Sequence, residues 1–261
     1  MAKSLSVETE DGIAVADSFV AVVDGSTSKT PRRIIPGMTN GRCCMSLVCE
    51  FVRKACCDMS CKEFCEALTD YVRNRYSAAD LERLGAHPED RLTASCAVYS
   101  SRRREVWLIG DCQCIVDGCF YGNPKPDEEK IAERRAAIAI SLIESGRVSE
   151  DELLKDDIAR KAILPQLVES MSGQNLAYAV VDGFPIPADK VRIIPVPDGR
   201  ECVVLATDGY PFLRPTLAES ELMLQRQLDT DPLNIRSFKA TKGLVCGNIS
   251  FDDRSYIRFI P

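Results

Sequence analysis

At 261 residues and 45% hydrophobic content, the chain is long enough to bury one large core without disulfides or a structural metal. A net charge of −6 excludes nucleic acid and an anionic membrane as main partners, and neither an 18-residue apolar run nor a signal peptide is read in it. The 13 cysteines, an odd number with adjacent pairs at Cys43-Cys44 and Cys56-Cys57, fit a reducing compartment, so a soluble cytoplasmic protein is expected.

In chain order, Glu10-Asp11-Gly12 comes first, ahead of the apolar segment Ile13 to Ala16. Phe19 to Val23 is apolar without alternation, which predicts a strand buried on both faces, and it stops at Asp24-Gly25. A carboxylate at the mouth of a buried strand is costly unless it is paired or holds a metal. The glycine turns tightly and leaves its carbonyl open to a ligand. Residues 26–41 form a polar loop that brings Lys29, Arg32 and Arg33 near this edge. Solvation is the plainer role for the three cations, phosphate binding the sharper one.

Cys43 to Cys57 is expected to be a helix with an apolar stripe of Leu47, Val48, Phe51 and Val52. A second helix opens at the capping box Ser60-Cys-Lys-Glu63 and runs through Val72, so the two pack antiparallel on a sheet. Cys57, Cys61 and Cys65 recur one turn apart; with His87 as the single histidine and no CxxC pair, small apolar filling explains them better than zinc.

Thr93 to Tyr99 and Glu105 to Ile109 read as paired strands, and Asp111 follows Ile109-Gly110. Asp117-Gly118 is a hairpin signal between Cys112–Val116 and Cys119–Tyr121. Residues 127–145 form an Ala-rich helix, and Ser149-Glu-Asp-Glu152 caps another reaching about Ser170 with a kink at Pro165. Leu176 to Val181 and Val191 to Val196 resume the sheet, with Asp182-Gly183 and Asp198-Gly199 as turns. Val203-Val-Leu-Ala-Thr-Asp-Gly209 repeats the opening pattern of buried run then Asp-Gly. Thr216-Leu-Ala-Glu219 caps a helix to about Leu228, residues 229–250 are loop-rich, and Asp252-Asp253-Arg254-Ser255 leads into the last strand, Tyr256 to Ile260. Strand meanders with helices inserted in pairs predict an α+β fold. Asp24, Asp208 and Asp252 stand at three strand edges, with Glu10 as a fourth acidic group; this all-oxygen set suits Mg²⁺ or Mn²⁺.

Taken together and in order, Glu10-Asp11, Val22-Val-Asp-Gly25, Arg91-Leu-Thr-Ala-Ser95, Leu108-Ile-Gly-Asp111, Ala206-Thr-Asp-Gly209 and Asp252-Asp-Arg-Ser255 resemble the motifs of the bacterial-type metal-dependent protein phosphatases of the 2C family. The resemblance implies one domain over 1–261, a four-layer αββα sandwich of two antiparallel sheets flanked by helices, and a variable flap within about 150–190. It implies two divalent cations, Mn²⁺ or Mg²⁺, bridged by Asp24. Glu10 and the Gly25 carbonyl would serve one ion, Asp208 and Asp252 the other, and Asp111 an additional metal. Asp11 and Asp253 would orient these ligands. Asp24 and Asp208 would then carry catalysis, the hydrolysis of phosphoserine or phosphothreonine on a protein substrate by a hydroxide bridging the metals. A monomer is expected.

Two departures stand out. Ser6 occupies the place where the family carries a phosphate-gripping arginine, and Ser26-Thr-Ser-Lys29 replaces its glycine-rich sequence. Lys3, Lys29, Arg32 or Arg33 would have to substitute. The alternative is a catalytically poor, metal-binding domain that recognises phosphorylated partners or serves a regulatory role.

Overall fold

The computed structural model describes residues 1–199 and 202–261. One antiparallel sheet has the order β1 (Asp11–Val15), β2 (Phe19–Gly25), β3 (Ala94–Ser100), β4 (Glu105–Ile109), β7 (Arg192–Pro195). The second has the order β6 (Cys119–Tyr121), β5 (Gln113–Val116), β8 (Val203–Ala206), β9 (Tyr256–Phe259). All pairings are antiparallel, as expected for meanders joined by short turns.

Strand parity decides what each residue faces. On β2, Phe19, Ala21 and Val23 join the core under the helices, whereas Val22 joins the core between the sheets. On β3, Cys96 and Val98 point to the helices, and Ala97 and Tyr99 to the second sheet. From the opposite side Cys114, Val116, Val203 and Leu205 complete the inter-sheet core. Both faces of the central strands are therefore apolar, which is why β2 carries no polar alternation.

Helices α1 (Asn40–Lys54), α2 (Cys61–Arg73) and α3 (Ala78–Ala86) form the layer outside the first sheet. Phe64 of α2 stacks 5.3 Å from both Phe19 and Trp107, a buried aromatic cluster in which each ring contributes roughly 1.5–3 kcal/mol by burial alone. The outer face of the second sheet, Ile115, Val204 and Ala206, is covered by Tyr210 and Leu213 on the approach to α7 (Leu217–Thr230). Helices α4 (Glu128–Glu144), α5 (Glu150–Lys155) and α6 (Ile158–Ser170) share a core of their own with Leu233 and Ile235. The result is the α+β sandwich of two antiparallel sheets with helices outside.

Some elements depart from the sequence reading. Helix α1 starts three residues earlier than expected, because Thr39 caps it by accepting from Arg42 N, and it ends at Lys54. Cys57 thus lies exposed in the α1–α2 turn, while Cys61 and Cys65 are buried; all 13 cysteines are free thiols. The helix expected from Ser149 to Ser170 is two helices. It breaks at Asp156 and Asp157, where the Asp157 carboxylate caps α6 by accepting from Arg160 N, and Pro165 sits inside α6. Leu176, Ala177 and Tyr178 form a turn that donates to the Gly173 carbonyl, and of this expected strand Val181 alone bridges to Ala94. Helix α3 was not anticipated, although Ser77 and Asp80 form a capping box.

Candidate active site

The same parity places the acidic groups. Asp24 continues the Val20 and Val22 side of β2, so it leaves the first sheet toward the second, and its ladder partners Asp11 and Ser95 share that face. Thr207 continues the inward side of Val203 and Leu205 and donates to Asp11 at 2.6 Å, joining the sheets. Asp208 follows at the open end of β8. Its neighbour Gly209 has to be glycine, since a Cβ there would stand 2.1 Å from the Asp253 carbonyl oxygen. At the β4–β5 turn Gly110 has φ +89° and lies against Ser95, whose hydroxyl donates to Asp111 at 2.5 Å.

Asp24, Asp111, Asp208 and Asp252 all line one cleft of about 500 Å³. Five cations reach the same cleft, Lys29, Lys125, Lys130, Arg160 and Lys242, as do the acidic Asp127, Glu128 and Glu169. Of Asp24, Asp111, Asp208 and Asp252, two are matched by lysines. Lys125 Nζ lies 2.5 Å from Asp111, and Lys242 Nζ is in direct contact with Asp252, with Lys3 a further 3.6 Å neighbour of Asp252. Burial works against ionisation of both carboxyls, but these lysines override it and hold Asp111 and Asp252 below the usual aspartate range.

Asp24 and Asp208 are different. Burial, followed by each one's acidic neighbours, pushes both well above the ordinary aspartate value. Asp208 Oδ1 is buried without a hydrogen-bond partner among the described residues. An orphaned carboxylate oxygen beside a second uncompensated carboxylate fits a hard divalent cation held by oxygen donors. Among the described residues no three Asp, Glu, Cys or His side chains form a preformed metal cage.

The remaining sequence candidates are placed as follows. Glu10 is buried, and its two oxygens accept from Thr27 Oγ1 at 3.0 Å and Thr39 Oγ1 at 2.5 Å; it ties β1 to the 26–39 loop beside the cleft. Gly25 donates to the Glu10 carbonyl and packs against Gly41, where a Cβ would meet backbone at 2.4 Å. Asp253 accepts from Lys3 N and Glu10 N, at 2.7 and 2.9 Å, and so fixes the segment leading into β1. Of the loop cations only Lys29 reaches the cleft. Arg32 pairs with Asp80 at 3.0 Å, and Arg33 is exposed and donates to the Thr30 and Arg32 carbonyls.

Lys125, Glu128, Arg160 and Lys242 were not singled out from the sequence. They come from loops and helix ends without motif character, and only the tertiary fold gathers them. Burial, against the pull of Lys125, pushes Glu128 up, so the cleft also holds a carboxyl inclined to keep its proton. Lys29 is pushed down to about 7 by burial and then by Lys242 and Arg160.

No protein-family model matches the chain, and no curated protein sequence matches it. Solved structures that overlay on it include bacterial serine/threonine phosphatases. The PPM Ser-Thr phosphatase MsPP from Mycobacterium smegmatis overlays with a TM-score of 0.47 at 14% identity, over 100% of this chain and 94% of that one. Stp1 from Staphylococcus aureus gives 0.45 at 11%, over 100% and 93%. PstP from Mycobacterium tuberculosis gives 0.41 at 15%, over 88% and 83%.

Proposed function

We propose that the protein is a divalent-cation-dependent phosphatase acting on phosphoserine and phosphothreonine in proteins, with Asp24 and Asp208 as the carboxylates that hold the cation. One observation carries this reading: two crowded aspartates without lysine partners, one with an orphaned oxygen, in a cleft that five cations also line. A bound cation there would supply Lewis acidity, activating water and neutralising phosphoryl charge.

The chain's own residues do the rest. Lys29 and Arg160 bring positive charge to the cleft, where a phosphoryl group needs it, and take the place left by Ser6. The Lys125–Asp111 pair, itself held by Ser95, fixes an ammonium at the wall in one position. Glu128 is a proton source for a departing alkoxide.

The two lysine–aspartate pairs favour a second reading, a phospho-recognition domain that binds without turnover, because they hold carboxylates that a two-metal site would use. Assays on a phosphopeptide and an aryl phosphate with Mn²⁺ and Mg²⁺, alongside phosphopeptide binding, separate the two. The phosphatase reading expects turnover that disappears in Asp24→Asn. Phosphopeptide binding without turnover, under either cation, would replace it with the second reading.

A further inference from the structure

Lys242 sits in a segment that carries no helix or strand between Asp231 and Asp252, yet its backbone is tied down on both sides of Lys242. The Asp231 carboxylate accepts from Ile235 N, Arg236 N and Ser237 N at 3.1, 2.7 and 2.9 Å. The buried Arg135 guanidinium, paired with Asp157 at 2.6 Å, donates to the Leu233 and Ala240 carbonyls at 2.9 and 3.0 Å. Arg160 donates to the Thr241 carbonyl at 2.5 Å, and Asn234 Nδ2 to the Lys242 carbonyl at 3.1 Å. Gly243 fits so closely that a Cβ would meet the Leu233 carbonyl at 2.7 Å and Arg135 Nη2 at 2.9 Å. Phe238 and Leu244 pack on Leu224, Leu228 and Phe251. Irregular backbone this heavily bonded is rigid, and what it delivers is one ammonium onto Asp252.

Of the five aspartates that line the cleft, three have a lysine partner: Lys125 pairs with Asp111, Lys130 with Asp127 and Lys242 with Asp252. Asp24 and Asp208 are the two aspartates of the cleft that no lysine pairs with, and Asp208 Oδ1 has no hydrogen-bond partner among the described residues, which leaves their oxygens as donors for a cation.

We propose that Lys242 is a built-in cation that takes the place of one metal ion, so that the protein binds a single divalent cation at Asp24 and Asp208. The inference rests on the reading of these two aspartates as a cation site. An ammonium at Asp252 opposes a nearby second dication by direct repulsion and by occupying its oxygen donor. It also stays bound at metal concentrations where a second ion would be lost.

The test is stoichiometry, read without any assay of turnover. After equilibrium dialysis against saturating Mn²⁺, bound metal is counted by elemental analysis, and Mn²⁺ titrations are followed by calorimetry. Wild type is expected to hold one ion per chain. Lys242→Met removes the direct contact on Asp252, leaving Lys3 at 3.6 Å, and is expected to hold two, while Lys242→Arg, which keeps the charge, stays at one. The double change K242M/D252N removes the pair without altering net charge; it is expected to hold one ion within about threefold of wild-type affinity. Two ions on wild type would overturn the inference while leaving the Asp24–Asp208 site standing. So would an unchanged count of one in a Lys242→Met chain whose far-UV circular dichroism is native. If Lys242→Met does not fold, the wild-type count and the double variant decide the matter. No Mn²⁺ on wild type would remove the cation site and the inference together.

Discussion

Asp11 and Asp24 are register partners across the β1–β2 ladder, so both carboxylates leave the first sheet on the same face. Asp11 receives the Thr207 hydroxyl, whereas Asp24 has no hydrogen-bond donor to its carboxylate among the described residues. Burial pushes Asp11 up to about 8, and the same burial with Asp11 as neighbour raises Asp24. Asp24 and its companion Asp208 are therefore carboxyls whose ionisation the cation-free fold opposes. Asp24→Asn should stabilise the cation-free protein by about 2–4 °C in Tm, since it relieves repulsion. It should also abolish the upward Tm shift that Mn²⁺ gives wild type by mass action. A Mn²⁺ shift retained in this variant would contradict the placement of the ion.

Gly209→Ala adds a single methyl group outside the cleft lining, against the Asp253 carbonyl at 2.1 Å. Backbone has to move, at a cost of roughly 1–3 kcal/mol in urea denaturation. Mn²⁺ affinity should fall with it, because Asp208 is adjacent. Native stability in this variant would show that the close approach is not structural.

Lys29 offers a test by pH. Its folded value of about 7 lies below the unfolded 10.5, so its contribution to stability is present above about 10.5 and lost as pH falls through 7. Lys29→Met should raise Tm at pH 6.5 and leave it nearly unchanged at pH 10.5. A phosphate group reverses the sign, favouring the ammonium, so inorganic phosphate should bind more tightly as pH drops from 8.5 to 6.5. Isothermal titration across that range, with Lys29→Met as the flat control, checks both.

Arg91 and Asp182 form a buried pair at 2.8 Å on the far side of β3 from the second sheet, with the guanidinium 3.7 Å from the Phe184 ring centroid. Asp182 is pushed up to about 6 by burial, against the pull of Arg91. Its contribution to stability is therefore complete below about pH 4 and lost as pH rises through 6. Arg91→Met leaves Asp182 unpaired and should cost about 3–5 kcal/mol at pH 7 in urea denaturation, without changing Mn²⁺ stoichiometry.

Asp117→Asn is the counterpart expected to do nothing. Asp117 and Gly118 have φ of 50° and 72° in the β5–β6 hairpin, and Asn-Gly serves such a turn equally well. Stability within about 0.5 kcal/mol of wild type and unaltered Mn²⁺ binding are expected.

Much of this was legible in the sequence because it is written locally. The unbroken Phe19–Val23 run announces a strand covered on both faces, the Ser60–Glu63 box starts α2, and Asp117-Gly118 closes a hairpin. Asp24 and Asp208 were legible for a related reason: each ends a run too apolar to leave a carboxylate without purpose, whereas Asp252 stands ahead of the last strand. What the sequence hid is non-local. Lys125, Arg160 and Lys242 look like ordinary surface cations, and nothing near them in the chain says that they will meet buried aspartates. The break between α5 and α6 was missed for the opposite reason. Asp157 reads as a helix residue until Arg135, 22 positions earlier, claims its carboxylate.

The cleft straddles a seam. Asp24 and Asp208 belong to different sheets, and along most of their contact those sheets meet through Val22 and Leu108 against Cys114 and Leu205. Hydrogen bonds make each sheet stiff within itself, whereas apolar contact has no preferred direction and resists sliding weakly. An ion gripped from both sides would act as a rivet through a sliding joint. Loading it would stiffen the joint, and by reciprocity any partner that shifts one plate against the other would loosen or tighten the grip on the ion without touching the cleft.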